Sequence, residues 1–569
     1  MRSLPKSVYW FMIGWLVLNL IQSATTGLMN DETYYWVYTQ FPDWGYLDHP
    51  PGVMVVIWLG EFLGHSPITL RLVSVLLSTV ALGLMIRLMP GKEFDLKAFA
   101  LLFLSFPLFH IFGFVTVPDT PLLFFCTLFF FVLKAYLKEA TNVRALWLLF
   151  AVVGMVYSKY HAVLVLFFTI LALPKLLADR RFYFVLFASI LLYLPHIVWQ
   201  VSNDYPSIQY HLFERSDIAY RLDFTTGYLA VQLIILGPLS FWFILRSAAR
   251  YLDGFSDRFA TPEKRFRRVM LLQFWGFFGF FFLMSFKGTV EGNWTAPMLL
   301  PALYLAYSFY KEQSSQRLRK VAIPLLAIST VLSFGIRFLM AVPVSPLSEK
   351  GNLKEFHHNS EWARDIKQGT NNLPVVFYDG YKYPSIYWYY EGIPAHAESD
   401  IKYRLTQYDL WSIDTAFTGK KVAWVAKVPG IKNLIAHDYT SPTKFVIDTS
   451  FYSLHALEVQ RPDLPPSLSR SETQTLGLVV KNTADYIVKT PRGHSYGIGV
   501  SYVLEREVVD TFFVHFIDKA EWQVGEEYAV QVELDQWPET GSYKMRVSLQ
   551  KFGFWPSLTG LPHEVIITE

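Results

Sequence analysis

The chain has 569 residues, of which 52% are hydrophobic, 17% aromatic and only 17% charged, with a formal net charge of +3. Soluble domains carry about 25% charged residues, so the composition excludes an ordinary soluble protein. The small net charge gives no footprint for a nucleic-acid partner. A single cysteine, Cys126 in an apolar run, excludes a disulfide framework and a cysteine-based zinc site within the chain.

A bilayer crossing needs about 20 mainly apolar residues. Taken in order, the candidates are 8–28, 67–89, 97–117, 120–138, 144–160, 162–178, 182–200, 226–246, 267–286, 295–310 and 320–342, which predicts about eleven transmembrane helices. No small-residue cleavage site follows the first, so it reads as a retained anchor. Residues 53–63 are too short to span; Trp58 and Glu61 suit a helix lying in the interface. Residues 31–41, with Tyr34, Tyr35 and Tyr38, read as a second such helix.

Lysine and arginine alternate between the connecting loops. They are dense before the first span (Arg2, Lys6) and at 87–97, 134–144, 175–181, 246–268 and 311–320, and sparse between, where the exceptions include Arg71, Lys159, Arg215 and Lys287. Basic loops face the cytoplasm. The expected topology is therefore an integral plasma (bacterial inner) membrane protein with a cytoplasmic N-terminus. Residues 29–66 and the C-terminal region are extracytoplasmic.

After Pro343 the pattern changes. Residues 374–379 and 421–428 predict buried strands, with a helix between them ending at Gly392. From about 450, alternating runs such as TLGLVVKN, YGIGVSYVL, YAVQVELD and SYKMRVSLQ predict a β-sandwich. The expected domains are a membrane domain over 1–345, a small α/β domain over 346–445 and a β-sandwich over 446–569.

The chemistry concentrates on the outward side. The stretch DETYYWVYTQFPDWGYLDHPP places Asp31, Glu32, Asp43, Asp48 and His49 beside the membrane, with no lysine or arginine among them. Charges beside a bilayer are costly unless solvated or used. Asp119, Lys159, Arg215, Glu291 and Asn293 lie on the same predicted side. A carboxylate can deprotonate an acceptor hydroxyl, and a cation can stabilise a departing phosphate. Bland readings exist for each: Asp31 and Asp119 as helix caps, Lys159 as a snorkelling side chain, Arg215 and Lys287 as surface charges.

These residues resemble the polyprenyl- or dolichyl-phosphate-sugar-dependent transferases of the GT-C fold. That superfamily includes protein O-mannosyltransferases and the bacterial aminoarabinose transferases that modify lipid A. The resemblance rests on Asp31-Glu32 followed by aromatics, Asp48-His49-Pro50-Pro51, Asp119-Thr120-Pro121-Leu122, Ser158-Lys159 and Glu291-Gly292-Asn293-Trp294, and covers roughly 1–345. It implies Asp31 as the acceptor-activating base and Asp119 as a second acid of the catalytic cavity. His49 and Lys159 would contact the lipid-linked phosphate, and Asp48 would orient the donor. Glu32, Tyr34, Tyr35, Arg215, Glu291 and Asn293 are candidate substrate contacts. Aminoarabinose transferases carry lysine where this chain has His49, whose charge varies near neutral pH.

The expected activity is sugar transfer from a polyprenyl-phosphate carrier to an extracytoplasmic hydroxyl. Lipid A, lipopolysaccharide core or another envelope glycan is the first acceptor, and protein Ser/Thr the second. A transporter or flippase of lipid-linked sugars and a non-catalytic envelope receptor are the rivals. No cofactor is required, since His49 and Lys159 supply cations, although Asp31, Glu32 and Asp119 could hold a divalent ion.

Overall fold

The structure is a computed structural model. It describes residues 4–91, 93–213, 219–251, 261–312, 316–344, 346–348, 351–378, 380–426, 433–435, 443–460, 465–490, 495–505, 507–560 and 562–569. The chain divides into two compact units, Met1–His357 and His358–Glu569.

Among the described residues of the first unit, six helices are long and apolar enough to cross a bilayer: Lys6–Thr25, Pro67–Leu88, Asp119–Tyr136, Arg180–Ser202, Pro262–Met284 and Lys320–Ala341. The pair Leu222–Leu236 and Ser240–Ser247, bent by 98°, makes a seventh if counted as one span. The expectation of about eleven continuous spans is met in part among the described residues. The segment 97–117 divides into Leu96–Leu104 and Pro107–Ile111, and 162–178 stops at Ala172 before a tight turn that begins at Pro174. The segment 295–310 opens as a tight turn over Gly292–Met298 before helix Leu299–Glu312. Proline lacks the N–H that a continuing helix needs, so these breaks fall at or beside prolines. Asn142–Ser158 is continuous but has 17 residues.

Helix starts follow local chemistry. Ser66 accepts from the Thr69 N–H with Pro67 at the first helical position, and Asp95, Thr141 and Asp179 accept from first-turn N–H groups. The short helix Gly52–Glu61 exposes Val55, Trp58 and Leu59 along one side and buries Val53, Val56 and Ile57 on the other.

The segment expected as a second interfacial helix is helix Asn30–Tyr38, and it is packed inside the protein instead: every residue from Glu32 to Tyr38 is buried. Its aromatics make a core, not a membrane anchor. Tyr38 stacks on Tyr46 at 3.8 Å, and the Tyr46 hydroxyl lies 3.1 and 3.0 Å from the carbonyls of Tyr38 and Phe41.

The second unit has fifteen strands among the described residues: β1 (Val375–Tyr378), β2 (His396–Glu398), β3 (Val422–Ala426), β4 (Asn433–Ile435), β5 (Thr443–Asp448), β6 (Leu457–Gln460), β7 (Ser467–Ser469), β8 (Gln474–Asn482), β9 (Val488–Lys489), β10 (Tyr496–Leu504), β11 (Glu507–Phe516), β12 (Glu521–Trp522), β13 (Glu527–Leu534), β14 (Gly541–Lys551) and β15 (Pro562–Thr568). The first sheet runs β2-β1-β3-β5-β4, with β1 parallel to β2 and β3. Helix Lys382–Glu391 makes the crossover and ends at Gly392, whose φ of 66° is the left-handed cap that glycine adopts without strain. The larger β layer runs β11-β10-β14-β15-β7 and faces β13-β8-β6 across one core containing Leu478, Val480, Val500, Tyr502, Val532 and Val547. The alternating runs thus supply strands of a β-rich region.

Burial, with the charges of His455 and Lys551, pushes the His396 imidazole well below its usual range, so the folded ring is neutral. The unfolded chain protonates this ring below about pH 6.5. The unfolded state thus binds more protons there, and stability falls as pH drops from that value towards the lowered folded one. The expected slope is about 1.4 kcal/mol per pH unit. His396→Gln should flatten this acid limb in thermal unfolding followed by circular dichroism.

Candidate active site

The site begins with a buried frame. Both oxygens of Glu32 are committed: Oε1 accepts from Arg71 Nε (2.8 Å) and the Thr116 N–H (2.9 Å), and Oε2 from Arg71 Nη2 (2.6 Å) and the Met29 N–H (3.0 Å). Arg71 also donates to the carbonyls of Thr26 (2.7 Å) and Gly27 (2.8 Å) and lies over the Phe114 ring. Both side chains are fully buried. The expectation that Glu32 contacts substrate is therefore corrected. The acid-rich loop does contain a structural ion pair, whose cation comes from the next spanning helix. The pair ties helix Asn30–Tyr38 to the strand-like segment that leads into Asp119.

Asp31 is the second residue of that helix. The N-cap is Met29, so capping is not the role of Asp31. A step of one residue turns a helix by about 100°, which separates Asp31, partly exposed, from Glu32, buried. Tyr35 stands one turn on, over Asp31. Burial pushes the Tyr35 hydroxyl well above its usual value, and the charges of Asp31, Asp48 and Asp119 push it further. Tyr35 thus remains a neutral phenol in the field of three carboxylates from three separate elements. Asp48 is buried and accepts from the Tyr34 hydroxyl at 2.9 Å. The His49 ring lies 5.9 Å from the Tyr35 ring.

Asp119 opens helix Asp119–Tyr136, where the positive helix end favours a carboxylate. Its two oxygens each take a bond from Lys159 Nζ at 2.8 Å, and Oδ2 takes a third from Asn293 Nδ2 at 2.9 Å. Asp119 and Lys159 are both buried. Three motifs separated by 40 and 134 residues in sequence therefore meet at one carboxylate. Two of the three ammonium donors of Lys159 point at Asp119, so the resting cation is neutralised within the fold.

Backbone fit brings the two halves together. A Cβ at Gly52 would meet the Tyr157 carbonyl oxygen at 2.6 Å and the Ser158 Cα at 3.0 Å, so only glycine lets the Asp48–Pro51 turn approach the Ser158-Lys159 turn this closely. The loop is then fixed by groups that sequence reading passed over. His196 Nδ1 lies 2.8 Å from the Trp44 carbonyl, and Trp199 Nε1 donates to Asp43 Oδ2 at 2.9 Å. Gln200 Nε2 reaches both the Tyr160 hydroxyl (2.9 Å) and Ser207 Oγ (2.7 Å). Arg71 alone carried a sequence signal, as a basic residue at the head of a span.

Of the remaining candidates, Tyr34 is buried against Tyr35 and Tyr38, and Glu291 is exposed. Arg215 lies outside the described residues. Glu32 is bound to Arg71 and Asp119 to Lys159. Among the described residues no group of three His, Cys, Asp or Glu is arranged to hold a metal ion.

Comparisons with known proteins bear on the fold and on one segment of the sequence. The family model for dolichyl-phosphate-mannose-protein mannosyltransferases matches residues 48–199, which contain Asp48, His49, Asp119 and Lys159. A similar fold is found in ArnT from Cupriavidus metallidurans in the apo state, with a TM-score of 0.54 at 12% identity over 77% of this chain and 98% of that one. The same protein bound to undecaprenyl phosphate gives a TM-score of 0.56 at 14% identity over 78% and 98%. No curated protein sequence matches the chain. The GT-C resemblance drawn from the motifs thus holds in the fold and in the matched segment.

Proposed function

We propose that this chain, a lipid-phosphate-sugar-dependent glycosyltransferase by its family segment and its fold, transfers a sugar from a polyprenyl phosphate to an extracytoplasmic hydroxyl. An envelope glycan or lipid, such as lipid A or lipopolysaccharide core, is the first acceptor, and protein Ser/Thr the second. The observation that carries this reading is the meeting of Asp119, Lys159 and Asn293, from three separate motifs, in one buried hydrogen-bonded group. The undecaprenyl phosphate bound by ArnT supports a lipid-phosphate carrier. In this reading the N-terminus is cytoplasmic, and the site and the second unit are extracytoplasmic.

Asp31 takes the proton of the acceptor hydroxyl. The freed oxygen pair attacks the anomeric carbon from the side opposite the phosphate, and the carbon–oxygen bond to the phosphate breaks with its electron pair leaving on phosphate. The new bond forms with inversion. Asp48, fixed by Tyr34, orients the donor sugar. His49 and the third donor of Lys159 meet the phosphate, where charge accumulates as the bond breaks. Asp119 holds Lys159 in place, and Asn293 holds Asp119. Glu291 and Tyr35 line the route of substrate.

The test is the purified full chain given a polyprenyl-phosphate sugar and candidate acceptors, with products read by mass spectrometry. The expected product is the acceptor plus one sugar unit. Movement of the lipid-linked sugar across vesicles without any acceptor would instead make the chain a transporter. His49→Ala and Lys159→Ala are expected to weaken donor binding by about tenfold or more, the scale of a lost charge-assisted hydrogen bond. Unchanged donor affinity in both would remove them from the phosphate site.

A further inference from the structure

Within the unit His358–Glu569, a group of buried polar side chains lacks hydrogen-bond partners. His396 and Glu398 are two residues apart on β2 and so share one face of the strand. They are 3% and 2% exposed. Neither ring nitrogen of His396 has a hydrogen-bond partner, nor does Glu398 Oε1. Lys551, at the end of β14, rests its ammonium on the faces of Trp424 (4.0 Å) and Phe451 (4.9 Å), and Nζ makes no hydrogen bond. The His396 ring lies 6.1 Å from the same Phe451 ring. Lys551 feels the charge of Glu398, and His396 that of Lys551 and His455. His455 reaches the surface with 18% of its side chain exposed; its Nδ1 lies 3.5 Å from Asp409 Oδ1, and its Nε2 is unpartnered. His455 and Lys551 are both partly exposed as residues, while the Lys551 ammonium itself is buried.

Buried polar atoms are nearly always paired, and each exception calls for a partner that completes it. The chemistry here narrows that partner. A cation is repelled by Lys551, and an anion by Glu398 and Asp409. An apolar molecule leaves every one of these atoms unpaired. A neutral ligand that both gives and accepts at each atom satisfies the ammonium and the carboxylate together, and the hydroxyl is the group that does so. We propose that His396, Glu398, His455 and Lys551 form a binding site for a sugar residue, held through neighbouring hydroxyls that donate to Glu398 and accept from Lys551. This site belongs to the second unit and stands whether or not the first unit transfers sugar.

The experiment uses the full chain in detergent without any lipid donor. Methyl glucoside, methyl galactoside and N-acetylglucosamine are titrated, with binding read by ligand-observed saturation-transfer NMR. At least one is expected to bind saturably. Glu398→Gln and Lys551→Met are expected to weaken it by about tenfold or more, as for hydrogen bonds to charged groups, with the melting profile retained. Lys551→Met removes a buried charge and keeps the test readable if Glu398→Gln fails to fold. Absence of saturable binding by all three sugars overturns the proposal. So does unchanged binding in both unit-two variants, which would place the sugar outside this group.

Discussion

Asp31→Asn is expected to lower sugar transfer by about 10²–10⁴-fold, the usual contribution of a general base, with carrier binding close to that of the unaltered chain. Asparagine matches the shape of aspartate and cannot take the acceptor proton. The substitution sits at a partly exposed position in the first turn of helix Asn30–Tyr38, so it leaves the frame beneath untouched. That frame belongs to Glu32, whose four bonds to Arg71, Thr116 and Met29 do not involve its neighbour's side chain. The measurement is the initial rate of product by mass spectrometry beside donor affinity for the same preparation. Undiminished transfer would move the base to Asp48 or Asp119, the other carboxylates whose charge reaches Tyr35.

Removing the Arg71 guanidinium has the second large effect, on stability. Arg71→Leu strands the Glu32 carboxylate in a fully buried position and deprives the Thr26 and Gly27 carbonyls of their donors. Breaking one partner of a buried pair costs about 3–5 kcal/mol. Arg71→Lys is expected to recover little, because an ammonium cannot make the two parallel bonds that the guanidinium gives to the Glu32 oxygens. The double change Glu32→Gln with Arg71→Met removes both charges and should restore much of the melting temperature. Transfer should stay low in the double variant, since the tie between the Asp31 helix and the approach to Asp119 is gone. A double variant as unstable as Arg71→Leu would show that the loss is one of packing and not of an unpaired charge.

The parts of the fold that sequence made legible are those with strong periodicity. Strands β8, β10, β13 and β14 lie within a residue or two of the alternating runs, and helix Lys382–Glu391 ends at the glycine that marked it. Strand β11, EVVDTFFVHF, went unread because its burial does not alternate cleanly. The spans were placed by hydropathy, but hydropathy is blind to a proline that divides a segment, as at Pro107. The aromatic helix Asn30–Tyr38 was misplaced at the interface for a related reason. A tyrosine-rich face suits an interface and a polar-tipped core equally well, and the choice depends on what packs over it.

By itself, the sequence determined that the chain is a membrane protein with a β-rich end, and which acids and cations are unusual enough to carry chemistry. Composition and sidedness are sums along the chain, so they need no fold. Only the tertiary structure decided how those residues divide. Asp31 and Glu32 are neighbours in sequence with opposite surroundings, because a helix turns one towards Tyr35 and the other onto Arg71, 39 residues away. Asp119, Lys159 and Asn293 become one group only when three helix ends meet. Pairing energy falls steeply with distance and rises with burial, and neither quantity exists until the chain is folded.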